Sequence, residues 1–225
     1  MTPDLVEYPD REMLTISLAN RIASQLAQHL RTNDQAVLCV PGGSTPAPVF
    51  RTLSGADLDW SRVTVLLNDE RWVDRDSPRS NSALLARNLF QGPAAAAQYL
   101  DLYTGAPTPA DAAPALAEQV SAVLPITVLL LGMGNDMHTA SLFPRAEGLA
   151  EALSHDAPAV MAMTGGDEAE PRVTLTLPAL KSALWTHVMI TGTDKREALE
   201  RAADFDPQAA PIRAFLDDAT VHWAE

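Results

Sequence analysis

The sequence predicts an α/β fold, a mostly parallel sheet with helices on both faces. Three observations predict it. Short apolar runs at 36–40, 63–67 and 126–131 read as strands buried on both sides, the last one rich in β-branched residues and leucine. Stretches of helical period lie between the runs. Each run also ends in a glycine-rich or polar cluster, giving a strand-then-polar pattern at 36–45, 63–71 and 126–138. Three strands that deliver polar residues from one end describe a shared pocket, at the edge where open α/β sheets place their ligands.

Composition bounds the reading. The chain has 225 residues, 47% hydrophobic and 20% charged, enough to bury one core, and a single domain over 1–225 is expected. No apolar run approaches the ~20 residues of a membrane span. The beginning carries Asp4, Glu7 and Asp10 and lacks the basic-then-apolar pattern of a signal peptide, so a cytoplasmic location is expected. The net charge of −13 argues against nucleic acid or an anionic membrane as partner. An anionic substrate therefore needs a local convergence of cations. The one cysteine, Cys39, lies in the run Ala36–Val40 and reads as an inert strand residue.

In chain order, Leu14, Leu18, Ile22, Leu26 and Leu30 recur every fourth residue and predict a helix over 11–32. The strand at 36–40 runs into Pro41-Gly-Gly-Ser-Thr-Pro46 and a helix over 47–53. Two glycines, two hydroxyls and a helix start suit an anion cradle, and suit an ordinary strand-to-helix turn equally well. The strand at 63–67 ends in Asn68-Asp-Glu-Arg-Trp, and Asn81–Phe90 reads as a helix. The Ala- and Pro-rich stretch 91–115 reads as a surface connection, with a helix over 110–123. Beyond the central run come a short helix at 147–153, a strand at 157–163 and an exposed acidic loop at 164–170. Alternation over 171–178 predicts a strand with one solvated face. A last interior strand covers 186–191, and Gly192-Thr-Asp-Lys195 opens a helix over 196–203. A lysine in a first helical turn is unfavourable beside the positive helix dipole unless an anion joins it, which marks Lys195 as an anion ligand. A short helix at 211–216 and a strand at 219–223 close the chain.

The central run ends at Gly132 and Gly134 and presents Asp136, His138, Thr139 and Ser141. A dinucleotide fingerprint fails there, because its third glycine position holds Met137. One Asp and one His are too few for a metal, and no Cys or H-E-x-x-H cluster adds to them; neither metal nor cofactor is expected. No G-x-S-x-G announces a serine hydrolase. His138, beside Asp136 at the end of a buried strand, is the candidate for chemistry.

Gly132-Met-Gly-Asn-Asp-Met-His-Thr-Ala-Ser-Leu-Phe-Pro144 resembles the signature of the 6-phosphogluconolactonase family, G-M-G-x-D-G-H-T-A-S-L-F-P, with Met137 as the one departure. The Gly42–Pro46 turn, the Asp69–Trp72 segment, Ser80-Asn81, Arg172-Val-Thr-Leu-Thr176 and Gly192–Lys195 also resemble that family, so the likeness runs from about residue 36 almost to the end. The resemblance implies a Rossmann-like sheet and hydrolysis of 6-phospho-D-glucono-1,5-lactone, a small sugar-phosphate lactone. It also implies phosphate binding by Gly43, Ser44, Thr45, Arg172 and Lys195. A lactone is an activated ester, so water can attack it directly, with His138 as general base and Asp136 and Asp69 orienting the ring or the water. Arg71, or main-chain amides near Gly43 and Gly134, would meet the oxyanion. Which of Arg71 and Arg172 serves phosphate and which the oxyanion stays open. Related sugar-phosphate deaminases carry a glutamate where Phe143 stands, and a tyrosine where Arg71 stands, so the lactonase reading is preferred. A non-catalytic sugar-phosphate sensor would want a DNA-binding segment, for which this acidic chain has no room. A monomer or weak dimer is expected.

Overall fold

The structure is a computed structural model that describes residues 4–164 and 170–225. The acidic loop expected at 164–170 therefore lies, for 165–169, outside the described residues. The elements run β1 (Asp4–Glu7), α1 (Arg11–Leu30), β2 (Ala36–Val40), α2 (Ala47–Ser54), β3 (Val63–Leu67), β4 (Asp69–Arg71), α3 (Asn81–Asn88), β5 (Gln98–Leu100) and α4 (Pro109–Ser121). They continue with β6 (Val128–Gly132), α5 (Leu149–Ala152), β7 (Val160–Met163), β8 (Arg172–Leu175), α6 (Leu177–Lys181), β9 (Trp185–Thr191), α7 (Thr193–Ala202) and β10 (Ala219–Ala224).

Seven strands form one parallel sheet in the order β1-β10-β9-β6-β2-β3-β5. From β2 the chain builds outward through β3 to β5, returns to the other side of β2 with β6, and builds away again through β9 and β10. Crossovers between parallel strands keep one hand, so this reversal sends the connections to opposite faces and leaves a switch point between β2 and β6. The expected α/β class is found.

The core follows from the pattern of the sequence. Helix α1 buries Leu14, Leu18, Ile22, Leu26 and Leu30, which face β2, β6 and β10. Each such side chain contributes about 1.5–3 kcal/mol on burial. Asp10 starts the helix by accepting from the Met13 amide at 2.8 Å, satisfying one of its free donors. Every residue of β2 and β3 is buried, as their unbroken apolar runs require. Cys39 is fully buried, and burial pushes its thiol well up, so it is inert.

Three features depart from expectation. Strands β1 and β5 lie where the acidic beginning and a surface connection were expected, each pairing with a buried neighbour at an edge of the sheet. The polar segment after β3 is itself a strand: β4, β8 and β7 form a second, antiparallel sheet. Within it β8 is buried on both faces, not solvated on one. Its Thr174 is fully buried because the hydroxyl accepts from the Ser141 amide at 3.2 Å and donates to a backbone carbonyl, which satisfies the polar group without water.

Candidate active site

The cleft opens at the carboxyl ends of β2, β3, β6 and β9. The loops that leave β2 and β6 diverge at the switch point and enclose about 250 Å³. Its lining includes Gly43, Thr45, Asp69, Arg71, His138, Arg172 and Lys195, seven of the nine residues singled out from the sequence. The other two are placed differently. Asp136 stands behind His138, and Ser44 is exposed, its carbonyl accepting from the Ala47 amide at the start of α2.

After β6 the chain turns tightly: the Gly134 amide donates to the His138 carbonyl at 2.9 Å and the Met137 amide to the Gly134 carbonyl at 3.0 Å. The turn requires a positive φ at Met137, 68°, the conformation that glycine adopts without strain. Met137 takes it, and its carbonyl accepts from the Ile212 amide at 3.2 Å. Gly134 is needed for space: a Cβ there would come within 2.2 Å of His138 Nδ1 and 2.4 Å of Asp136 Oδ1.

The Asp136 carboxylate holds His138 twice, accepting from its amide at 3.3 Å and meeting Nδ1 at 2.6 Å. Burial pushes the Asp136 carboxyl up, but the hydrogen bond and charge of His138 outweigh it and leave the group below the ordinary range. An ionised Asp136 accepts only, so Nδ1 carries the proton and Nε2 keeps its lone pair. The Phe143 ring lies 4.7 Å from the His138 ring, and the Arg172 guanidinium stands 5.3 Å from the centre of the same Phe143 ring.

The second sheet brings the arginines. In the β4–β8 register Arg71 pairs with Arg172, two like charges directly across a strand pair. That arrangement is destabilising unless anions compensate. Asp69 Oδ2 lies 3.7 Å from Arg172 Nη1 and accepts from the buried Ser141 hydroxyl at 2.6 Å; Glu170 lies 3.9 Å from Arg71 Nε. Lys195, in the first turn of α7, donates to the Met133 carbonyl at 2.5 Å. Burial lowers its pKa, against the raising influence of Asp136. Three cations and one carboxylate therefore line the cleft of a chain whose net charge is −13. The local field suits an anion although the global one does not.

Two asparagines of the lining were given no role from the sequence. Asn68 is fully buried and donates to the Leu130 carbonyl at 3.3 Å, and Asn81 donates to the Asp69 carbonyl at 3.1 Å. The pattern of one strand followed by Asn68-Asp-Glu-Arg was the available signal for the first, and Ser80-Asn81 at a helix start for the second. Among the described residues no group of three His, Cys, Asp or Glu is placed to hold a metal ion.

Comparison with known proteins agrees with this geometry. The chain is 42% identical to the 6-phosphogluconolactonase of Mesorhizobium japonicum, with 96% of this chain and 93% of that one covered. It is 40% identical to that of Rhizobium meliloti over the full length of both. The crystal structure of a 6-phosphogluconolactonase from Shewanella baltica superposes with a TM-score of 0.95 at 34% identity, covering 99% of this chain and 98% of that one. A monomeric glucosamine-6-phosphate deaminase shares the fold, with a TM-score of 0.83 at 18% identity. The profile described as glucosamine-6-phosphate isomerases/6-phosphogluconolactonase matches residues 9–223. With its cleft at the switch point and its likeness spanning nearly every residue, the chain belongs to the glucosamine-6-phosphate isomerase/6-phosphogluconolactonase family.

Proposed function

We propose that this chain hydrolyses 6-phospho-D-glucono-1,5-lactone to 6-phospho-D-gluconate, the second step of the oxidative pentose phosphate pathway, as the names of its relatives indicate. The observation that carries the mechanism is the Asp136–His138 pair at the cleft, 2.6 Å from oxygen to Nδ1. Water attacks C1 of the lactone and gives its proton to His138 Nε2, while Asp136 holds the ring and stabilises the imidazolium. The carbonyl oxygen becomes an oxyanion, met by Arg71 or by main-chain amides of the Gly43 and Gly134 turns. Collapse breaks the bond from C1 to the ring oxygen, and the proton on Nε2 passes to that oxygen. The product is the open-chain acid, which loses its own proton to solvent.

Asp69, 3.7 Å from the Arg172 guanidinium, is suited to accept from the attacking water or a sugar hydroxyl. Gly43 and Thr45 with the amides of their turn, Arg172 and Lys195 hold the phosphate. Phe143 favours lactone hydrolysis over ring-opening isomerisation, because an apolar ring beside the imidazole offers no second carboxylate to shuttle a proton.

The test is to assay the phosphogluconolactone and glucosamine 6-phosphate side by side, with wild type and His138→Ala. Wild type should turn over the lactone only, and the variant should lose roughly 10²–10⁴-fold in kcat. Near-normal kcat in the variant would remove His138 from the mechanism.

A further inference from the structure

Between the charged residues of β4 that line the cleft lies one that does not. Glu70 is 1% exposed, and its carboxylate faces away from the cleft into the start of α3. Oε1 accepts from the amides of Arg71 at 2.8 Å and Asn81 at 2.9 Å. Oε2 accepts from the Ser82 amide at 2.8 Å, the Ser82 hydroxyl at 2.8 Å and the Ser80 hydroxyl at 3.3 Å. Burial pushes this carboxyl up, and the donors from Asn81, Ser82 and Arg71 pull it partly back. Five donors converge on two oxygens. Three of the five are backbone amides, which can only donate; two carboxylate oxygens satisfy them together, whereas a glutamine in either orientation would aim its own N–H groups at one or two of them.

One of the five contacts is to Arg71 itself, and the other four tie down the start of α3. Glu70 fixes the Arg71 main chain directly. By binding Asn81 and Ser82 it also closes the loop 72–80, and the Arg79 carbonyl of that loop accepts from Arg71 Nη1 at 2.8 Å. The arginine is thus held at its amide by Glu70 and at its guanidinium by a loop that Glu70 ties shut. An arginine has many rotamers, and holding it in one costs entropy at each encounter with substrate unless the protein fixes it beforehand.

We propose that Glu70 is a positioning residue for the reaction: a buried carboxylate that never touches substrate and pre-sets the Arg71 guanidinium at the cleft. This rests on the lactonase reading for its assay, and on the hydrogen bonds of Glu70 for its content.

A double-mutant cycle on lactone hydrolysis tests it, with rates counted per folded molecule and thermal unfolding followed alongside. Glu70→Gln should lower kcat/KM roughly 10- to 100-fold, and Arg71→Ala by a similar factor. In the Arg71→Ala background the further loss from Glu70→Gln should shrink to about threefold or less, since the group it positions is gone. Ser82→Ala removes one hydroxyl donor and leaves every backbone donor in place. It should lose roughly two- to tenfold, again only while Arg71 is present, and it carries the cycle if Glu70→Gln does not fold. Losses that multiply in both cycles would overturn the proposal and make Glu70 a fold-stabilising residue only. A wild type inactive on the lactone would instead overturn the proposed function, which separates the two failures.

Discussion

Two histidines far from the cleft should set the acid limit of this fold. His187 on β9 and His222 on β10 are 2% and 0% exposed and form one chain of hydrogen bonds. Gln25 Oε1 meets His187 Nε2 at 2.8 Å, His187 Nδ1 meets His222 Nε2 at 3.0 Å, and His222 Nδ1 meets the Tyr8 hydroxyl at 2.8 Å. The Gln25 oxygen only accepts, so His187 donates from Nε2, His222 donates to His187, and Tyr8 donates to His222. Each ring is neutral, and no nitrogen is left to take a proton without facing another donor or displacing one. Burial lowers the His187 pKa to about 4, with Arg21 adding to it. Burial, then His187 and Arg21, lower that of His222 to about 3. The unfolded chain, whose histidines titrate near 6.5, binds more protons throughout this window. Stability is therefore complete above about 6.5, falls as pH drops through that value, and levels off only below about 3. At about pH 5 each histidine should cost about 2 kcal/mol, or about 4 together, a large share of the 5–15 kcal/mol that holds a typical domain. Urea unfolding at about pH 8 and about pH 5, followed by tryptophan fluorescence, measures it. His187→Gln/His222→Gln should abolish most of that difference, and each single variant about half. The same pH difference in wild type and double variant, within ~1 kcal/mol, would refute the reasoning.

Two further outcomes test the cleft. Lys195→Ala should lower kcat/KM for the phosphorylated lactone roughly 10- to 150-fold by removing a charge-assisted contact, and far less for unphosphorylated gluconolactone. Equal damage to both substrates in steady-state assays would take Lys195 off the phosphate. Gly134→Ala places a Cβ 2.2 Å from His138 Nδ1, so kcat should fall at least about tenfold as the imidazole is displaced from Asp136. An unchanged kcat there would mean that the pair need not be held as the structure holds it.

The parts of the fold that were legible are those where one physical effect dominates. The buried strands β2, β3 and β6 are nearly pure apolar runs, and α1 repeats leucine or isoleucine every fourth residue. The cleft was legible because polar residues directly after such runs have few other places to go. What the sequence concealed depends on partners remote in the chain. Strand β5 has three residues, and it pairs with β3 from inside an Ala- and Pro-rich stretch. The alternation of β8 suggested solvent on one face, but Thr174 faces Ser141, which no local pattern reveals. Glu70 was hidden more deeply, since a carboxylate is almost never fully buried and its five donors arrive mainly from ten to twelve residues away.

The seven-stranded sheet ends on its two shortest members, four residues in β1 and three in β5. An exposed strand edge is a template on which another chain can grow, and its strength rises with the number of backbone groups it offers in a row. Here a passing chain finds only a few such groups at either end. At β1 it also meets the carboxylates of Asp4 and Glu7, both exposed, in a molecule that already repels its own copies. The long apolar strands most prone to aggregate are the innermost five, and each is flanked on both sides. The order in which the strands are laid down thus keeps the polymerisable part of the sequence out of reach once the molecule has folded, and confines that hazard to the time before β1 and β5 have docked.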